Sequence, residues 1–228
     1  MILVTGARGF IGSYLLPLLD DPIPLDVREG RNLLTGRLPE GVHLIYHLAA
    51  QSSVEASWSD PLHDLDNIRI TARLAHHYPR AKIIYANSCA SLEPESPYGF
   101  SKKAASDYLM KFHPNVVNCV FPNIYGPGSR SVVDIIKNNN SVLVYGDGSH
   151  TRDYVHVDDI VKGLILAADW KTGTYMMGSG QNYSVLELVK HAGKTYTHVP
   201  ERLEAIHVRV PNTTPNWIPE HNVLEYLS

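Results

Sequence analysis

The sequence predicts an α/β fold, a doubly wound parallel sheet followed by a small C-terminal lobe. Three features predict it: short continuously apolar runs, helical patterns between them, and Gly, Pro, Asn or Asp at the run ends. The runs fall at residues 1–5, 23–26, 43–49, 82–86 and 116–121. Unbroken apolar runs of about four to eight residues suit strands covered on both faces, as in a parallel sheet. Helical patterns cover residues 11–19, 64–77 and 97–112, so strand and helix alternate. Two irregularities interrupt the alternation. Only a loop or a single helical turn fits between Asp26 and the third run, where a full βαβ unit takes about thirty residues. Pro17 deletes one backbone hydrogen bond from the first helix.

With 228 residues the chain suits one large domain or one and a half small ones. A formal charge of -3 creates no general field for nucleic acid or anionic membrane, so neither is an expected partner. No apolar run approaches the ~20 residues of a membrane span. The two cysteines, Cys89 and Cys119, form no disulfide framework and fit a reducing compartment. The opening MILVTG reads as a buried strand without a basic leader. Together these lead to an expectation of a cytoplasmic protein. Twelve histidines are scattered without ligand spacing, so no metal site is expected.

Gly6, Gly9 and Gly12 follow the first strand and open a helix, spaced GxxGxxG. Glycines there permit a tight turn and let backbone approach a pyrophosphate, while the helix start offers free N–H groups. Asp26 ends the second strand about twenty residues on, where a carboxylate can accept from adenosine ribose hydroxyls and repel a 2′-phosphate. NAD is therefore favoured over NADP, although Arg28 and Arg31 nearby could pair with a phosphate. Leu48, Ala49 and Ala50 place small side chains at the edge of the third strand, where open α/β sheets bind ligands.

The fourth run delivers Ser88 to the same edge, and Tyr98 and Lys102 follow with YxxxK spacing. Residues one helical turn apart share a face, so the Lys102 ammonium can lie near the Tyr98 phenol. A neighbouring cation and an oxidised nicotinamide both favour the phenolate as a base near neutral pH. Ser88 can hold a substrate oxygen against Tyr98. Ser88, Tyr98 and Lys102 thus form the expected catalytic trio.

Taken together, the glycine loop, Ser88 and the Tyr98–Lys102 pair resemble the extended short-chain dehydrogenase/reductase family, specifically its nucleotide-sugar epimerases and dehydratases. The likeness continues through Asn123-Ile-Tyr-Gly-Pro127, the run from Gly146 to Asp159 that contains Arg152, Tyr175 to Gly180, Arg202, and Trp217-Ile-Pro219. It implies a Rossmann dinucleotide domain over residues 1–125, completed by about 152–180, with residues 126–151 and 181–228 forming a small substrate lobe. It implies NAD contacts from Gly6, Gly9, Phe10, Ile11, Gly12, Asp26, Asn32, Leu33, Leu48, Ala49, Ala50, Asn67, Tyr98, Lys102 and Phe121. The implied substrate contacts are Ser88, Asn123, Arg152 and Arg202, the two arginines suiting a nucleotide diphosphate.

Ser88-Cys89-Ala90 stands where the 4,6-dehydratases carry Thr-Asp-Glu, which leaves no acid–base pair to eliminate water. Asn32-Leu33 is the best match to the aspartate the family usually places beside the adenine, and Val120 replaces an arginine often found three residues before the asparagine. The resemblance implies a UDP-glucose/UDP-galactose-type 4-epimerase acting by transient oxidation, with Tyr98 as acid and base. A keto-sugar reductase or dehydrogenase, or a catalytically silent dinucleotide binder, are the alternatives. It further implies a homodimer through helices near 66–77 and 101–112, with Leu74, Leu109 and Met110 as candidate seam residues.

Overall fold

A computed structural model describes residues 1–200 and 209–228 of the chain. In chain order the elements are β1 (Ile2–Thr5), α1 (Phe10–Leu15), β2 (Pro22–Leu25), β3 (Leu44–His47), α2 (Val54–Ser59), α3 (Pro61–His77), β4 (Lys82–Ser88), α4 (Pro97–Phe112) and β5 (Val116–Phe121). They continue with β6 (Asn123–Tyr125), α5 (Val132–Asn138), β7 (Ser141–Tyr145), β8 (Thr151–His156), α6 (Val157–Leu166), β9 (Gly173–Met176), β10 (Asn182–Ser184), α7 (Val185–His191), β11 (Thr195–Val199) and α8 (Val223–Leu227). The chain divides into a first unit, residues 1–120 with 164–175, and a second, residues 121–163 with 176–228.

The main sheet has six strands in the order β2-β1-β3-β4-β5-β9. β1 runs parallel to β2 and β3, and β3 parallel to β4. All six residues of β5 and the middle of β4 are buried, which accounts for their unbroken apolar runs. The register pairs Thr5 with His47, bringing two polar side chains together at the strand ends. Leu3, Ile45, Ile83, Leu74, Leu109 and Val116 pack in one core. Leu74 and Leu109 are therefore core residues, 1% and 0% exposed, and cannot line a subunit seam as the sequence suggested. Met110 does reach the surface.

Both irregularities have a structural form. The first α-helix stops at Leu15 and tightens into a 3-10 turn, Leu16–Leu18, around Pro17. Between β2 and β3 only a 3-10 turn forms, Val27–Glu29, closed by Gly30 at φ 73°.

The second unit holds a three-stranded sheet, β10-β8-β6, in which β8 is antiparallel to β10 and parallel to β6. β7 and β11 pair in parallel as a separate ribbon. Tyr125, Val133, Ile136, Val144, Leu188 and Val189 make its core. Trp217 donates its indole N–H to the Asp159 carbonyl at 2.7 Å and fills the space left by Gly163, where a Cβ would sit 2.8 Å from that nitrogen. Among the described residues no helix is long and apolar enough to cross a membrane.

Candidate functional site

The glycine loop is shaped by contacts that exclude side chains. Gly6 adopts φ 68°, and a Cβ there would lie 2.7 Å from the Ala49 backbone nitrogen. A Cβ on Gly12 would meet the Gly6 carbonyl at 2.4 Å. Gly9 begins α1 with no side-chain cap, so the first-turn N–H groups of Phe10 and Ile11 have no partner on their own helix. This cradle of backbone donors fits a pyrophosphate in charge and in space.

Asp26, 7% exposed, sits beside the loop. Its two carboxylate oxygens accept from the Arg8 and Arg28 backbone N–H groups at 2.8 and 2.9 Å. Each oxygen has a second lone pair, so ribose hydroxyls could still donate to it. The Arg28 guanidinium donates to the Arg8 carbonyl and that of Arg31 to the Pro24 carbonyl, so both already hold backbone partners. Asn32 Oδ1 accepts from the Leu34 N–H at 2.7 Å, while the Leu33 side chain is buried in the core.

Ser88 and Tyr98 come together in the same unit, with Lys102 one helical turn further along α4. Ser96 caps α4 by accepting the Gly99 N–H at 3.1 Å, and Pro97 starts the helix, so Tyr98 lies in its first turn. Gly99 allows that turn to press against the chain after Ser88, since a Cβ there would meet the Ala90 carbonyl at 2.4 Å. The Ser88 hydroxyl is hydrogen-bonded to the Tyr98 phenol, which favours the phenolate. Burial outweighs that bond and, with Cys89 and Asp64 nearby, pushes Tyr98 up to about 12.

Lys102, 3% exposed, donates to the Ala86 carbonyl at 2.5 Å and lies 4.2 Å from the centre of the Tyr85 ring. Burial lowers its pKa to about 7. The protein by itself therefore does not deliver the lowered phenol pKa expected from the YxxxK spacing.

Behind the trio runs a chain of buried hydrogen bonds whose direction can be assigned. The Thr71 hydroxyl donates to the Asn67 carbonyl at 2.6 Å, so its oxygen accepts from His47 Nε2–H at 2.9 Å. His47 Nδ1 then accepts from the Thr5 hydroxyl at 2.8 Å, and Thr5 Oγ1 accepts from the Ala49 N–H at 3.2 Å. His47 is neutral, its pKa lowered to about 3 by burial and then by Lys102. Asn67 trades hydrogen bonds with the Gln51 backbone at 2.8 and 3.1 Å. Sequence reasoning named Asn67 but missed Thr5, His47, Gln51, Thr71 and Ser101 as its supports. A polar pair at the ends of two apolar strands was the available signal.

In the second unit the Asn123 amide donates to the Asp153 carbonyl at 3.3 Å. Arg152 lies on β8 opposite Tyr183, half-buried and already engaged in interactions within the fold. Phe121 ends β5 and is buried. Arg202 lies outside the described residues.

Residues 2–178 match the model of the NAD dependent epimerase/dehydratase family. The UDP-glucose 4-epimerase of Mycolicibacterium smegmatis is 34% identical, over 82% of this chain and 79% of that protein. The fold is similar to UDP-glucose 4-epimerase from Thermotoga maritima with UDP-glucose, with a TM-score of 0.85 and 25% identity over 99% of this chain and 96% of that one. It is also similar to MoeE5 in complex with UDP-glucuronic acid and NAD, with a TM-score of 0.84 and 25% identity over the same shares.

Proposed function

The chain belongs to the NAD-dependent epimerase/dehydratase family, and we propose that it is a nucleotide-sugar 4-epimerase of the UDP-glucose/UDP-galactose type. The observation that carries the reading is the Ser88–Tyr98 hydrogen bond, with Cys89 and Ala90 where an eliminating enzyme needs acids. A proton can be taken and returned at one oxygen, and positions 89 and 90 carry no carboxylate to expel water.

NAD, when bound, supplies the hydride acceptor and a positive charge. Gly6, Gly9 and Gly12 would hold its pyrophosphate, Asp26 its adenosine ribose, and Lys102 and Asn67 would support the catalytic end. NAD is preferred over NADP because the Asp26 carboxylate repels a 2′-phosphate and both nearby arginines already hold backbone carbonyls. Tyr98 removes the proton of the sugar 4-hydroxyl while Ser88 holds the same oxygen. After the keto-sugar turns over, Tyr98 returns the proton. Asn123, Arg152 and Arg202 serve the nucleotide-diphosphate portion, with Arg152 and Arg202 as the cations.

Incubating the protein with UDP-galactose and NAD tests this reading. UDP-glucose should accumulate to equilibrium without net NADH formation. Stoichiometric consumption of added NADPH would show a reductase instead, and NAD binding without turnover a silent binder.

The reading extends to a homodimer built on α3 and α4. Leu62, Leu65 and Phe100 are 73%, 50% and 65% exposed and border a groove of about 480 Å³ on this unit. Light scattering after gel filtration should give twice the chain mass. A monomer that persists at assay concentration would remove the dimer from the proposal.

A further inference from the structure

We propose that the second unit carries a divalent transition-metal site, fitted to zinc, formed by His156, Asp158 and His221. One donor atom of each lies within 4.8 Å of those of the other two. His156 ends β8, Asp158 stands in the first turn of α6, and His221 comes from the segment before α8. His156 Nδ1 is 3.5 Å from Asp158 Oδ2, and the two imidazoles stack at 4.4 Å and 21°. Two imidazoles and one carboxylate are a donor set zinc takes in catalytic centres, with water completing four-coordination.

The surroundings support a ligand role for His221. Its Nδ1 lies 3.0 Å from Asp159 Oδ1. A carboxylate only accepts, so Nδ1 carries the proton and Nε2 keeps the lone pair a metal needs. Asp159 is wholly buried and is fixed by the Glu220 and His221 backbone N–H groups at 3.0 and 2.9 Å. A buried carboxylate that holds the far nitrogen of a histidine is the support that orients metal ligands.

A second observation points to the same place. Among the described residues the fully buried Tyr125 hydroxyl has no hydrogen-bond partner, its ring stands edge-on to His156 at 5.1 Å, and Asp159 is the charge that acts on it most. A metal-bound water would give that hydroxyl a partner. Tetrahedral donors lie about 3.3 Å apart around zinc, so the trio must contract on binding. The His221 and Asp158 side chains, 40% and 45% exposed, are free enough to do so.

The test is titration of chelator-treated full-length protein with Zn2+ by calorimetry, and with Co2+ by visible absorption. One equivalent should bind, and cobalt should show the intense bands of a four-coordinate ion. His221→Ala and Asp158→Asn should each weaken zinc binding by about 10-fold or more, by analogy with the loss of supporting groups. His76→Ala with His77→Ala, an exposed pair elsewhere, should leave it unchanged. Absence of stoichiometric binding, or equal binding by wild type and His221→Ala, would overturn the proposal and leave an ordinary stacked histidine pair. Because the readout is metal binding, the outcome is independent of epimerase activity.

Discussion

Asn67 donates its side-chain amide to Ser101 Oγ at 3.0 Å, which ties α3 to the helix that carries Tyr98. Ser101 in turn donates to the Tyr98 carbonyl at 2.8 Å, and both residues are 2% exposed. Ser101→Ala removes a buried hydroxyl that is both donor and acceptor. It should cost about 1–3 kcal/mol of stability, read as a lower urea midpoint. An unchanged midpoint would show that Asn67 is satisfied by Gln51 alone.

Tyr98→Phe removes one oxygen from a packed side chain, so the fold and NAD affinity should persist. Turnover should fall by about 10²–10⁴-fold, the usual contribution of a positioned acid–base group. Circular dichroism and NAD titration check the first part, and the epimerase assay the second. If turnover survives, the proton goes elsewhere.

Gly99→Ala tests the approach of α4 to Ser88. Its Cβ would sit 2.4 Å from the Ala90 carbonyl, a backbone atom that cannot turn aside. The helix start must shift, lengthening the Ser88–Tyr98 hydrogen bond. We expect a fall in kcat larger than any change in KM, together with a loss of about 1–3 kcal/mol in stability.

Acid should destabilise the fold through His47. Its folded pKa, about 3, lies below the unfolded value of 6.5, so the unfolded chain binds the extra proton between those values. The stabilisation is complete above pH 6.5 and is lost as pH falls toward 3, with a slope up to about 1.4 kcal/mol per pH unit. His156 is shifted in the same direction by burial and by His221 and adds to the trend. His47→Gln should be less stable than wild type at pH 8 and show a shallower loss between pH 6.5 and 4. Parallel stability–pH curves would mean that His47 is not held neutral.

Strands β1, β3, β4 and β5 were legible because they lie inside the sheet and are largely buried, so each shows an apolar run, whereas β2 is a half-buried edge strand marked by a shorter run. The glycine loop and the Ser88, Tyr98 and Lys102 positions were legible for a similar reason: local backbone geometry dictates their spacing. Less could be read where tertiary pairing decides. β6 and β10, each three residues long, exist through their pairing with β8. α2 is a short helix capped by Ser53, with no apolar stripe long enough to announce it. The placement of Lys102 on the Ala86 carbonyl follows from burial that no spacing rule contains. Leu74 and Leu109 looked like seam residues because helical periodicity marks an apolar face without saying what covers it. His156, Asp158 and His221 were invisible as a group because distant segments bring them together.

UDP-galactose deuterated at C4 tests whether the sugar is reversibly oxidised at that carbon with Tyr98 as the base. Wild type should form UDP-glucose that keeps its deuterium at C4, and Tyr98→Phe should form almost none. Product in which the label has exchanged with solvent, or full activity in Tyr98→Phe, would contradict it.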